Sequence, residues 1–428
     1  MVTLVRRVRK VPGDAVLQRD RRGASSPSGG QSTGTAQQQR YDRTPFMQED
    51  FVRQDESNHH GEDGAAGALG GAAADRAGGG AGSGETGSAV PDAEARSRRS
   101  ASFLIDEALG FLYPAALRAA ADVKVADHLV DGPRSPADLA AATGTHAPNL
   151  YRVLRLLATR GVVAEDDQGR FALTEAGQAL RSDAPYSART AILMLTDRTM
   201  WLPGNEMSRC LTEDTSAFDG IFGMPFFDYF AQDERTAAVF HVGMAAMSDA
   251  ENAPIAASYD FPASGTVVDV GGGHGGLLLE VLRHHRGLDG VLYDQSHVLA
   301  GHRLAAEEAV AGRWALADGD FFTDVPPGDV YLIKRILHDW DDERSAAILA
   351  NCRRALRPGG RILIVDAVVP PGNAPHQAKA LDLMMMASLV GRERTEADFA
   401  ALFEATGLRL SRGVPTPTVL SVVEAVVA

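Results

Sequence analysis

The sequence is poor in cysteine. Its two, Cys210 and Cys352, lie far apart with no CxxC or zinc-type spacing near either. That excludes a disulfide framework or a structural zinc site as the organising device, and it suits a reducing cytoplasm. No apolar run approaches the roughly 20 residues needed to cross a bilayer, so no membrane association is expected. The opening MVTLVRRVRKV lacks the uninterrupted apolar core of a secretory signal and soon meets Pro12, Gly13 and Asp14, so it reads as part of a tail. A positive excess is missing too: 42 Lys and Arg stand against 56 Asp and Glu, a formal charge of −14. Nucleic-acid binders gain affinity by neutralising phosphates, so a nucleic-acid partner is disfavoured. What is present is 45% apolar residues in 428, ample for real cores and enough length for two domains.

Residues 1–100 are dominated by Gly, Ala, Ser, Gln, Asp and Arg, most plainly in GAAGALGGAAADRAGGGAGSGETGS. Such a stretch buries too little apolar surface to offset the entropy of ordering, which predicts a disordered low-complexity tail with His59 and His60 solvated rather than metal-bound. From Phe103, FLIDEALGFLYPAALRAAADVKVADHL carries apolar residues on more than one helical face, as a subunit interface would require. Ser135 caps a short helix opened by Pro136, a second amphipathic helix stops at Gly161, and GVVAEDDQGRFALTEAGQAL reads as strand, turn, strand and helix. Residues 101–185 therefore predict a winged helix. Arg152, Arg155 and Arg160 suit its would-be recognition helix, but Glu165, Asp166 and Asp167 at the wing tip would face phosphates, so packing or dimerisation is expected in place of DNA binding.

Residues 186–260 form a helical linker rich in aromatics and methionine. Most of these are expected in the core, while Trp201 and Met244, joined by Met385 from further along, are candidates for an apolar substrate pocket. From 261 to 428, TVVDV, GVLYD, WALADGD, DVYLIKR and RILIVDAV alternate with helices, and LRLSRGV and VLSVVEAVV close the chain. Regular alternation predicts an α/β, doubly wound, Rossmann-like sheet that binds ligands at its strand carboxyl ends.

In VVDVGGGHGGLLLEVL the glycines Gly271, Gly273 and Gly275 follow a strand and precede a helix, allowing a tight turn and close backbone approach by a ligand. Asp294 ends the next strand, placed to accept hydrogen bonds from ribose hydroxyls. NAD and S-adenosylmethionine (SAM) sites share this plan, so these residues alone leave the cofactor open. After the third strand, Asp320 could meet an adenine amino group and Phe321 could cover the ring.

With the stretch YLIKRILHDWDDER, the region from about 102 to 428 resembles the SAM-dependent small-molecule O-methyltransferases, which include plant caffeate and isoflavone enzymes, animal hydroxyindole O-methyltransferase and bacterial natural-product enzymes. The resemblance rests on VVDVGGGHGG, GDFFTDVPPGDVYLIKRILHDWDDE, LRPGGRILIVDAV and MMMASLVGRERTEADF, in that order. It implies a homodimer built through the 101–185 domain, SAM as cofactor, no metal, and a cytoplasmic enzyme of secondary metabolism acting on an aromatic small molecule. By position it assigns Gly271, Gly273, Gly275, Asp294, Asp320, Phe321, Lys334 and Arg335 to the cofactor. It makes His338 the general base for a phenolic hydroxyl, flanked and oriented by Asp366 and Glu393. Asp341, Asp342 and Glu343, in contrast, read as ordinary helix-start acids, and Asp339 as mostly a bystander. The run Met384, Met385 and Met386 suggests a flat apolar acceptor. The competing readings are a SAM-binding homologue with decarboxylase or hydroxylase chemistry and a winged-helix transcriptional regulator. Against the regulator stand the acidic wing and the His338, Asp366 and Glu393 set.

Overall fold

The computed structural model describes residues 89–428 apart from residue 214. The expectations for residues 1–88, including His59 and His60, lie outside the described residues. Helix α1 (Ala89–Leu109) begins ahead of the expected boundary at residue 101. Between Ala89 and Leu109 the sequence has no glycine, and Pro91 falls in the first turn, where a missing N–H costs nothing.

Helices α2 (Leu112–Asp122), α3 (Pro136–Thr143) and α4 (Ala147–Ala158) are followed by the antiparallel pair β1 (Val163–Glu165) and β2 (Phe171–Leu173). Ser135 accepts the Asp138 N–H at 3.1 Å and Pro136 opens α3, as the sequence implies. Leu139, Leu154, Leu157 and Phe171 form the solvent-free centre of this domain. The turn acid Asp166 accepts the backbone N–H groups of Gln168 and Arg170, and Arg160 lies over the Tyr113 ring. Phe103, Leu104 and Ile105 on α1 are each at least 60% exposed, a run of large apolar side chains left open among the described residues.

The middle of the chain is helical: α5 (Glu175–Gln178), α6 (Arg189–Leu195), α7 (Arg198–Asn205), α8 (Met207–Cys210), α9 (Ala217–Phe222), α10 (Phe226–Gln232) and the long α11 (Glu234–Ser258). Phe218, Phe226 and Phe230 make its own aromatic core. Among the described residues no helix is long and apolar enough to cross a membrane.

The last third is one seven-stranded sheet in the order β5-β4-β3-β6-β7-β9-β8. Its strands are β3 (Gly265–Val270), β4 (Leu288–Asp294), β5 (Trp314–Asp318), β6 (Gly328–Lys334), β7 (Leu356–Ala367), β8 (Leu408–Pro415) and β9 (Leu420–Val427). β5 to β7 pair in parallel, while β9 and β8 are antiparallel. Neighbouring positions bury against opposite layers: Val267, Leu332 and Leu363 on one, Val268, Tyr331 and Ile364 on the other. Strands covered on both faces read as near-continuous apolar runs, which is why they were visible in the sequence. The connecting helices are α12 (Gly276–His284), α13 (Ser296–Leu299), α14 (Asp342–Ala355), α15 (Gln377–Ser388) and α16 (Glu396–Ala405). The helix expected after Ser296 is only the four residues of α13, followed by short 3-10 turns. Strand order reverses between β3 and β6, and that switch point opens a crevice at their carboxyl ends.

Candidate active site

The loop after β3 is held in shape by its glycines. Gly271, Gly273 and Gly275 have φ of 65°, 63° and 78°, a left-handed conformation that costs other residues strain. Asp294 closes the loop from behind: its Oδ2 accepts the Gly273 N–H at 2.9 Å and its Oδ1 accepts the Gln295 N–H at 2.7 Å. Burial raises its pKa, and those two donors oppose the rise.

The loop forms one end of a cavity of about 330 Å³, a size suited to small-molecule ligands. Gly271, Gly273, Lys334, Arg335, His338, Glu393, Met244 and Met385 all line it. Asp294, Gly275, Asp320, Phe321, Asp366 and Trp201 do not. Asp320 instead accepts the Phe322 N–H at 2.9 Å, and Phe321 is buried beneath Gly271. On α7 it is Met200, not Trp201, that faces the cavity, because consecutive helical residues point about 100° apart.

His338 sits in a single 3-10 turn after β6, Leu337–Asp339, and is buried. Its Nδ1 lies 2.9 Å from Glu393 Oε1, and its Nε2 lies 3.5 Å from Asp339 Oδ1. The two carboxylates bracket the ring. Burial disfavours the imidazolium, but Asp339 and then Glu393 outweigh it and push the pKa up to about 9. Asp366, expected as the second flanking acid, makes no hydrogen bond or ion pair with the imidazole, but its charge adds to those that raise the His338 pKa. Its Oδ1 accepts the Arg335 N–H at 2.8 Å, and burial raises it to about 6. β7 ends beside β6, so its terminal acid meets the backbone of the neighbouring strand end before it can reach the histidine. Asp339, set aside in the sequence as a bystander, occupies that second place.

Arg394 was also overlooked. It is essentially fully buried and donates to the carbonyl oxygens of Leu337 at 2.8 Å and Trp340 at 3.0 Å, one on each side of His338. It also pairs with Asp342, which therefore does more than begin a helix. Gly391 packs flat on the same turn, where an added Cβ would stand 1.9 Å from the His338 carbonyl oxygen. The segment GRERT thus both supports the histidine and supplies Glu393.

On the cofactor side, Lys334 donates to Asn252 Oδ1 at 2.8 Å and Ser248 Oγ at 3.0 Å, and lies 3.2 Å from Glu251. Arg335 takes a left-handed φ of 53°, unusual for a residue with a side chain, and its guanidinium pairs with Glu251. Burial lowers Lys334 to about 8, and Glu251 limits that fall. Burial raises Glu251, but Arg335 and then Lys334 outweigh it and hold the carboxyl low. Glu251 is an acid buried in helix α11; with the exposed Asp249 two residues before it in MSDAENAPIAAS, no local signal sets it apart.

Asp269 Oδ2, in the wall beside the glycine loop, is buried without a partner among the described residues, and burial raises its carboxyl to about 7. A ligand bearing hydrogen-bond donors or positive charge fits that end, and SAM carries both an ammonium and a sulfonium. Met194, Met200, Phe226, Met244 and Met385 give the cavity its apolar lining.

A family model described as O-methyltransferase domain matches residues 205–409, and one described as O-methyltransferase dimerisation domain matches residues 105–183. Phenazine O-methyltransferase PhzM of Lysobacter antibioticus is 40% identical over 76% of this chain and 95% of that protein. Mitomycin biosynthesis 6-O-methyltransferase of Streptomyces lavendulae is 35% identical over 70% of this chain and 86% of its own length. Among solved structures, the SAH-bound form of CalO1, a methyltransferase in calicheamicin biosynthesis, is 54% identical with a TM-score of 0.74, covering 77% of this chain and 98% of that one.

Proposed function

The chain belongs to the O-methyltransferase family, with SAM as its cofactor, and on that premise we propose that it methylates a phenolic hydroxyl of an aromatic natural-product intermediate, with His338 as general base. The observation that carries this reading is His338 itself, buried in the wall of a largely apolar cavity with Nδ1 committed to Glu393. When bound, SAM supplies a methyl group already activated as a sulfonium, so the protein must align the acceptor oxygen, exclude water and take its proton.

The residues divide that work. Donation of Nδ1–H to Glu393 leaves the lone pair of neutral His338 on Nε2, the nitrogen turned to Asp339. A free phenol has a pKa near ~10, like tyrosine's. The imidazole, raised to about 9, must first release the proton it holds below that pH; once neutral it is nearly matched to the phenol, so the proton moves from oxygen to Nε2 at little cost. Glu393 and Asp339 then stabilise the imidazolium. Lys334, Arg335 and Asp269 with the glycine loop hold the cofactor end, while Met244 and Met385 lie against the acceptor. The assembly is a homodimer in which a second copy covers the exposed Phe103, Leu104 and Ile105 of α1, at the start of the residues matched as a dimerisation domain.

Methyl-labelled SAM with a panel of phenols tests the reading. Label on a phenolic oxygen is expected; SAM binding without transfer to any phenol defeats it.

A further inference from the structure

Helix α15 carries a single acid, Asp382, in its middle, where aspartate is among the weaker helix formers. Its side chain serves a partner outside the helix: Oδ1 accepts the backbone N–H of Glu393 at 3.0 Å, 11 residues further on. Glu393 in turn holds Nδ1 of His338 at 2.9 Å. Asp382, Glu393 and His338 therefore form one line of contacts from α15 to the imidazole.

The anchors on either side of Glu393 tie its loop to the histidine turn and to α16. Gly391 packs on the His338 carbonyl, Arg394 donates to the carbonyls of Leu337 and Trp340, and Thr395 caps α16. Glu393 itself is held at two points among the described residues, Oε1 by the imidazole and N–H by Asp382. A loop N–H has no ladder partner, so a side chain must supply the oxygen it needs, and Asp382 does so. The same helix lines the cavity through Leu381, Met384 and Met385.

The charges near each end show how Asp382 can reach the ring. The imidazole faces Asp339 on its own turn, Glu393 on the loop and Asp366 at the end of β7, with Arg335 and Arg394 acting on Asp366. Asp382 faces Glu393, Arg392 and Asp398. Glu393 is the acid common to both sets, so the influence of Asp382 on His338 passes through it.

Resting on the reading of His338 as general base, we infer that Asp382 is a positioning residue, which by holding the Glu393 N–H fixes that carboxylate against Nδ1 and keeps Nε2 the basic nitrogen. The hydrogen bond is the working part and the charge is not, because a neutral amide oxygen can accept the same N–H.

The test compares Asp382→Ala with Asp382→Asn in the full-length protein. Alanine is the better helix former, so the helix is expected to survive the first change. NMR titration of the His338 imidazole without ligand is the deciding measurement. Asp382→Ala should move the transition down by about 0.5 pH or more, since a displaced Glu393 stabilises the imidazolium less, while Asp382→Asn should stay at the wild-type value. Turnover of the phenol that accepts labelled methyl fastest should fall about tenfold or more in Asp382→Ala and recover in Asp382→Asn, with S-adenosylhomocysteine affinity by calorimetry unchanged in both. An unmoved transition in Asp382→Ala, or an equal movement in Asp382→Asn, overturns the inference. A transition that moves in Asp382→Ala and is restored in Asp382→Asn, with turnover unaltered throughout, supports the positioning and overturns the base reading instead.

Discussion

Glu251 and Arg335 form a buried ion pair across 84 residues of sequence, joining the middle of α11 to the strand end that presents His338. The same carboxylate lies 3.2 Å from Lys334, so one acid from the helical region balances both cations at the cofactor end. The left-handed backbone of Arg335, pinned through its N–H to Asp366, fixes where that pairing occurs.

Glu251→Gln removes that balance without changing shape. Two buried cations are left undercompensated, and breaking a buried pair from one side costs about 3–5 kcal/mol. Urea unfolding should show a loss of that order, and calorimetry should show weaker S-adenosylhomocysteine binding. A variant with wild-type stability and affinity would leave Glu251 without the bracing role.

His338→Ala should lower kcat by about 10² to 10⁴-fold, the usual worth of a positioned base. Affinity for S-adenosylhomocysteine should change little, because the proposed cofactor site is built on the glycine loop, Asp269 and Lys334 and not on His338. A near-normal turnover rate removes the base assignment.

Proton affinity gives a third expectation. In the ligand-free protein His338 keeps its proton up to about pH 9, whereas an unfolded histidine releases it near ~6.5. The stability from its bracketing acids is therefore fully present below pH ~6.5 and is lost as pH rises through about 9. NMR titration of the imidazole should place the transition well above neutrality, and Glu393→Gln should move it down. A transition at the ordinary histidine value in the wild type would show that the acids do not act on the ring.

Arg394→Met should destabilise by about 3 kcal/mol or more, since the carbonyl oxygens of Leu337 and Trp340 lose their buried donor. Gly391→Ala acts on the same turn by collision with the His338 carbonyl. It should lower kcat more than it weakens S-adenosylhomocysteine binding.

Ile105→Asp introduces charge into the exposed apolar run of α1. Light scattering coupled to size exclusion should report a dimer for the wild type and a smaller species for the variant. A wild-type monomer at micromolar concentration would exclude the dimer.

The sheet was legible because buried parallel strands are written as short apolar runs, and the glycine loop because Gly271, Gly273 and Gly275 fill conformations few other residues accept. His338 and Glu393 were legible through resemblance, and they do meet. Other features resisted for physical reasons. Asp366 ends the correct strand, but a strand end offers its acid to neighbouring backbone as readily as to a side chain. Asp339 and Asp342 look like helix-start acids because that is a sufficient reason for acids to occur there, and only the fold shows what else they touch. Glu251 and Arg394 act through partners 84 and 57 residues away, separations that no local pattern records. The start of α1 was misplaced because its first turns bear few apolar residues, leaving periodicity little to report.

Helix α11 places Met244 and Met247 on the cavity wall and, one to two turns on, Asn252 and Glu251 against Lys334 and Arg335. On the proposed function, one helix therefore touches both occupants of the cavity. An acceptor bulky enough to press on Met244 leans on the lever that seats the cofactor's cations, so changes to this protein that widen its acceptor range will be felt in cofactor affinity as well.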